Sequence, residues 1–74
     1  MLGDELRKAR EDAKKTQEQL SFAADVDRTY ISQLENNRKS PTVDLLFRIC
    51  DSLGVSASEL IARVERSRKM PRKK

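Results

Sequence analysis

The sequence predicts an all-α fold of five short helices, with the second and third closely joined as a pair, and three observations carry that prediction. Thr16 stands three residues before Gln19, ahead of Leu20, Ala23 and Ala24. At this capping-box spacing each side chain satisfies a free backbone N–H at a helix start, and the apolar residues fall on one face. The run Asp25-Val26-Asp27 then offers a residue that tolerates a left-handed turn followed by a good N-cap, after which Ile31 and Leu34 give a new helix its buried side. Between Thr42 and Gly54, Val43, Leu46, Ile49, Cys50 and Leu53 repeat at helical spacing.

In chain order, Leu2 and Gly3 lead into a first helix over residues 4–13, with Asp4 and Glu5 at its positive end and Leu6, Ala9 and Ala13 on its inner face. Arg10 lies beside that face, an unusual position for a charge unless it is paired. The third helix ends at Glu35, because Asn36, Asn37 and Pro41 of NNRKSP are turn formers; the loop they make is basic through Arg38 and Lys39. Thr42 caps the fourth helix, where Leu45 and Phe47 lie off the centre of the apolar stripe. Ser56 and Glu59 form a second capping box, opening a fifth helix with Leu60, Ile61 and Val64. From Arg66 onward RSRKMPRKK has almost no apolar content, so residues 1–65 read as the domain and 66–74 as a basic, disordered tail.

Seventy-four residues give one domain with a small core, a size that is often marginal without a partner, a metal or a disulfide. One cysteine and no histidine remove the last two, which leaves self-association. Nothing resembles a secretion signal or a membrane span, so the cytoplasm is the expected compartment. Cys50, on an apolar face with no histidine to activate it, reads as a core residue. No metal set, Gly-rich phosphate loop or acid pair points to catalysis, so the chain is expected to be a non-enzyme with no cofactor and no small-molecule ligand. The net charge is +4, yet six of the sixteen Lys and Arg lie in residues 66–74 with no acid beside them, leaving ten basic against twelve acidic side chains before them. Bulk charge therefore does not establish nucleic-acid binding. The placement of Arg28, Arg38 and Lys39, in and just after the third helix, carries more weight.

At about 100° per residue, Ile31 and Leu34 share one side of the third helix, with Thr29, Ser32 and Gln33 opposite and Arg28 at the rim. A short helix exposing these groups has the chemistry of a reader of base edges, and two such helices around a tight turn make a helix-turn-helix. TQEQL, DRTYISQLE, SPTVDLL and SLGVS, spanning about Leu6 to Leu60, resemble the phage-repressor and Cro-like helix-turn-helix proteins of the XRE family. Asp25 and Asn37 stand where the family has glycine, and both residue types suit positive φ. Lys14-Lys15 replaces the usual Gly-apolar pair before the second helix.

The resemblance implies a sequence-specific transcription regulator that binds double-stranded DNA as a homodimer on a palindromic or near-palindromic operator and touches or blocks RNA polymerase. It places the N-terminal half of the third helix in the major groove. Arg28, Thr29 and Gln33 are then the base-contacting residues, flanked by Tyr30 and Ser32. Arg28 offers a fork suited to guanine, Gln33 can donate and accept as adenine requires, and the Thr29 methyl suits thymine. Gln17, Arg38, Lys39, Ser40 and Thr42 are expected on phosphates, and the basic tail adds sequence-independent attraction. The resemblance also implies a structural ion pair between Arg10 and Glu35. The small core, with Leu45, Phe47, Ile61 and Val64 in excess of what one domain can cover, places the dimer interface on the fourth and fifth helices. The DRTYIS wording and the small size look like restriction–modification controller proteins; phage-type repressors share the architecture. An antitoxin that also binds its own operator is the alternative, and a protein-interaction module without DNA binding is a further one.

Overall fold

Local capping chemistry sets most of the helix boundaries. The computed structural model describes residues 1–68, and over them the chain forms α1 (Leu2–Asp12), α2 (Gln17–Ala24), α3 (Arg28–Glu35), α4 (Val43–Leu53) and α5 (Ala57–Arg68), with no strand among the described residues. The Thr16 box is complete: Gln19 N–H donates to Thr16 Oγ1 at 3.0 Å, and Thr16 N–H donates to Gln19 Oε1 at 2.8 Å. Thr42 Oγ1 accepts from Leu45 N–H at 3.1 Å, and Gly54 ends α4 at φ +71°. At α5 the Ser56 hydroxyl accepts from Glu59 N–H at 3.3 Å and lies 2.9 Å from the Ser58 hydroxyl, while no return bond from the Glu59 side chain forms. Asp27 holds the N-cap position of α3 without a side-chain cap bond.

Two boundaries depart from the spacing-based expectation. α1 starts at Leu2 because its free N-terminal donor is satisfied from across the fold: Gly3 N–H donates to Asn37 Oδ1 at 2.9 Å. A Cβ on residue 3 would run into the carbonyl oxygens of Leu34 and Glu35, so the absent side chain lets α1 settle on the end of α3. α5 continues to Arg68, beyond the expected domain boundary at residue 65, with Arg66 and Arg68 in its last turn where cations suit the helix dipole. The rest of the expected tail, residues 69–74, lies outside the described residues.

The core is formed by Leu6, Ala9, Leu20, Ala24, Ile31, Leu34, Leu46, Ile49, Cys50, Leu53 and Leu60. α1 packs on α3 and α5, α2 on α3 and α4, and α4 on α5. Burial pushes the Cys50 thiol pKa up, with the Asp51 charge a lesser cause, in keeping with an inert core thiol. Ala23 is exposed, and Ser21 is buried on the α2 face that Leu20 and Ala24 define. The buried serine hydroxyl is satisfied within its own helix by donating to Glu18 O at 2.7 Å. Val43 leaves the buried stripe altogether; at the first position of α4 it is 67% exposed.

Three non-glycine residues take positive φ: Lys14 at 60°, Asp25 at 57° and Asn37 at 61°. Asp and Asn relieve that conformation through their short polar side chains, whereas lysine has no such means. Lys14→Gly is therefore expected to stabilise the domain by about 0.5–1 kcal/mol, the left-handed penalty less the entropy glycine adds to the unfolded chain. Urea unfolding followed by circular dichroism measures it; a destabilised Lys14→Gly variant would show that the lysine side chain holds this turn.

Candidate nucleic-acid interface

α3 is held by two apolar anchors and one charged one. Ile31 and Leu34 are 1% and 2% exposed, and Glu35, at the end of the helix, is as deeply buried as they are. A buried carboxylate needs full compensation, and here it accepts three hydrogen bonds: from Arg10 Nε at 2.6 Å, Arg10 Nη2 at 3.1 Å and Gln17 Nε2 at 3.0 Å. Arg10 also donates through Nη1 to Lys15 O at 2.8 Å. One guanidinium thus joins α1, the turn before α2, and the end of α3. The hydrogen bond to Glu35 raises the Arg10 pKa above its ordinary value, against the lowering effect of burial and with help from the Glu35 and Glu11 charges.

With its inner side fixed, α3 turns Arg28 and Thr29 to solvent and leaves Ser32 and Gln33 half-buried along the same open face. Tyr30 is half-buried and packs on the core, and its hydroxyl donates to Ser40 O at 3.3 Å, so it ties the following loop to α3. Arg28, Arg10, Thr16, Gln17 and Glu18 line a hollow of about 520 Å³ at the start of α2. Gln17 is therefore both beside that hollow and tied to Glu35, with its amide oxygen still available. Arg38, Lys39 and Ser40 are exposed in the loop, and Thr42 follows at the α4 N-cap with its hydroxyl oxygen engaged by Leu45 N–H. The structure thus leaves Arg28, Thr29, Ser32 and Gln33 at least partly open on α3, whereas Tyr30, expected beside them, packs on the core and is tied to Ser40.

A second surface lies on α4 and α5. Val43, Leu46, Phe47, Ala57, Ser58 and Ile61 line an open groove of about 370 Å³ whose exposed apolar members are Val43, Phe47 and Ile61. Of the four residues expected at an interface, Phe47 and Ile61 meet here. Leu45 does not: two positions along a helix are about 160° apart, and Leu45 is half-buried against the core on the other flank of α4. Val64 is half-buried and outside the groove lining. Val43 was hidden from sequence reasoning by its match to the helical stripe; its place at the first position of α4 is the signal that identifies it.

Among the described residues no His, Cys, Asp or Glu cluster could hold a metal ion, and no helix is long and apolar enough to cross a membrane.

Residues 6–60 match the family model described as Helix-turn-helix. The chain is 39% identical over 66 residues to the control protein C.MunI of a Mycoplasma species, an alignment covering 86% of this chain and 88% of that protein. Among solved structures, the clp gene regulator ClgR from Corynebacterium glutamicum superposes with a TM-score of 0.86 at 35% identity, covering 89% of this chain and 70% of that one. The restriction–modification controller protein C.Esp1396I, solved as a tetramer in complex with its natural 35 base-pair operator, superposes with a TM-score of 0.78 at 31% identity, covering 88% of this chain and 86% of that one.

Proposed function

The chain belongs to the helix-turn-helix family and is a DNA-binding transcription regulator, and we propose that it acts as a homodimer on a two-fold or near two-fold operator in the manner of the restriction–modification controller proteins. One observation supports this reading above the rest. The polar face of α3 stands free while Ile31, Leu34 and the Arg10–Glu35–Gln17 network fix the opposite side. A helix held that rigidly can present Arg28, Thr29 and Gln33 to base edges in one register, with Tyr30 and Ser32 beside them. Gln17, Arg38, Lys39, Ser40 and Thr42 then hold phosphates on either side. Such a regulator works in the cytoplasm beside the DNA and acts by contacting or blocking RNA polymerase. The antitoxin alternative draws no support from the relatives found. Selection from random duplex DNA, followed by a gel shift with the recovered sites, tests the reading; failure to enrich any sequence would overturn it and favour a protein-interaction module.

The homodimer draws on the exposed groove of Val43, Phe47 and Ile61, a contiguous apolar patch on α4 and α5. Phe47→Glu, which places a charge in that patch, is expected to give a folded monomer and to weaken operator binding about a hundredfold or more, because the second half-site is no longer held by the first. Analytical ultracentrifugation with and without operator measures both effects. A Phe47→Glu protein that still sediments as a dimer would move the interface elsewhere.

A further inference from the structure

The turn between α2 and α3 has a partner that the DNA-contacting surface does not account for. α2 carries no basic residue in its last turn, so nothing in its own sequence offsets the negative end of its dipole. Its final turn closes on itself as far as Asp25 N–H and Val26 N–H, which donate back to Phe22 O and Ser21 O. Beyond them, the successive carbonyls of Ala24 and Asp25 accept from another helix. Arg48, at the middle of α4, donates through Nε and Nη2 to Ala24 O at 3.2 and 3.0 Å, and through Nη2 to Asp25 O at 2.8 Å. A cation from α4 thus holds two successive carbonyls at the left-handed residue where the chain changes direction into α3. On the same helix, one residue away, Phe47 belongs to the apolar groove, and Val43 lies one turn earlier.

We propose that Arg48 is a positioning residue that sets the angle of the reading head relative to the dimer axis, and so fixes the spacing between operator half-sites that the protein accepts. The assignment rests on the homodimeric reading above. α4 carries the dimer groove on one flank and Arg48 on another, and the guanidinium is a polar tie that runs directly from this helix to the recognition turn. Without it, α2 remains packed on α4 through apolar side chains, which allow small rotations that directed hydrogen bonds do not. Each added base pair both lengthens and rotates the second half-site, one full turn taking about 10–10.5 base pairs. A reading head with freedom of angle tolerates such a change better.

The test uses the full chain and duplexes carrying the half-sites recovered by selection, at the selected spacing and with one base pair inserted or removed between them. Arg48→Met keeps the aliphatic stem and removes the donors; Arg48→Lys keeps the charge and loses the planar fork. Both are measured where circular dichroism shows them fully folded. The wild-type protein is expected to lose affinity sharply on the altered spacings. The ratio between correct and altered spacing is expected to fall about two- to thirtyfold in Arg48→Met and by less in Arg48→Lys, with base preference within each half-site kept. If Arg48→Met does not fold, the Arg48→Lys ratio decides. Variants that retain the wild-type spacing ratio overturn the proposal, even if they are less stable or bind more weakly. A wild-type protein that is indifferent to spacing overturns the homodimeric reading itself.

Discussion

Replacing Arg28 or Gln33 with alanine should each weaken binding to the selected operator by about 1–3 kcal/mol and relax preference at particular base pairs. Both side chains lie on the open face of α3, and neither belongs to its buried anchors. Arg28 occupies the first position of α3, where the positive end of the helix dipole disfavours a cation, so its presence needs a reason outside the fold. A planar fork able to grip O6 and N7 of guanine supplies one. Gln33, five residues further on, can pair bidentately with adenine. The contrast is Lys39→Ala, which should weaken all sequences about equally and lower the salt slope by about one, since a phosphate contact carries no base information. Repeating the selection with each variant reads the difference. If Arg28→Ala and Gln33→Ala return the wild-type motif with undiminished preference at every position, the reading face lies elsewhere.

Glu35→Ala should destabilise the domain by about 3–5 kcal/mol, a large part of what a domain of this size possesses. The substitution leaves the Arg10 guanidinium, whose side chain is 12% exposed, without its counter-charge and removes the acceptor that orients Gln17. Glu35→Gln, which keeps the shape and one acceptor, should cost less. Denaturant unfolding checks both, and a cost for Glu35→Ala below about 1 kcal/mol would reduce the pair to the worth of an exposed salt bridge. The pH dependence follows from the raised Arg10 pKa. Its stabilising contribution is fully present below the unfolded arginine value and fades only as pH rises through the higher folded one. Titration of Arg10 should therefore cause no loss of stability between pH 6 and 9.

What could be read in the sequence was what local chemistry decides. Thr16, Gln19, Thr42 and Gly54 mark helix ends through bonds to near neighbours, and Asp25 and Asn37 announce left-handed turns by residue type. The open face of α3 follows from helical spacing once Ile31 and Leu34 are taken as buried. Features that depend on a distant partner were not legible. The start of α1 is set by Asn37, thirty-four residues away. Ser21 is buried and Ala23 exposed, which helical spacing alone did not indicate, and Val43 belongs to the stripe by spacing but is exposed. Arg48 is one charged residue among many until Ala24 and Asp25 are seen to accept its hydrogen bonds. The pairing of Arg10 with Glu35 came from family resemblance and is present in the fold, whereas the engagement of Gln17 with that pair and of Tyr30 with Ser40 required the structure.

The one-sided anchoring of α3 also bears on how such a domain changes over evolutionary time. Its fold depends on Ile31, Leu34 and Glu35, while positions 28 and 29 contribute nothing to the core. Alterations on the exposed side can therefore accumulate without first passing through an unfolded intermediate, and a duplicated copy can drift toward a new operator while its architecture stays intact. Stability and vocabulary are under separate control within one eight-residue helix. Such a domain can acquire new target sites one side chain at a time.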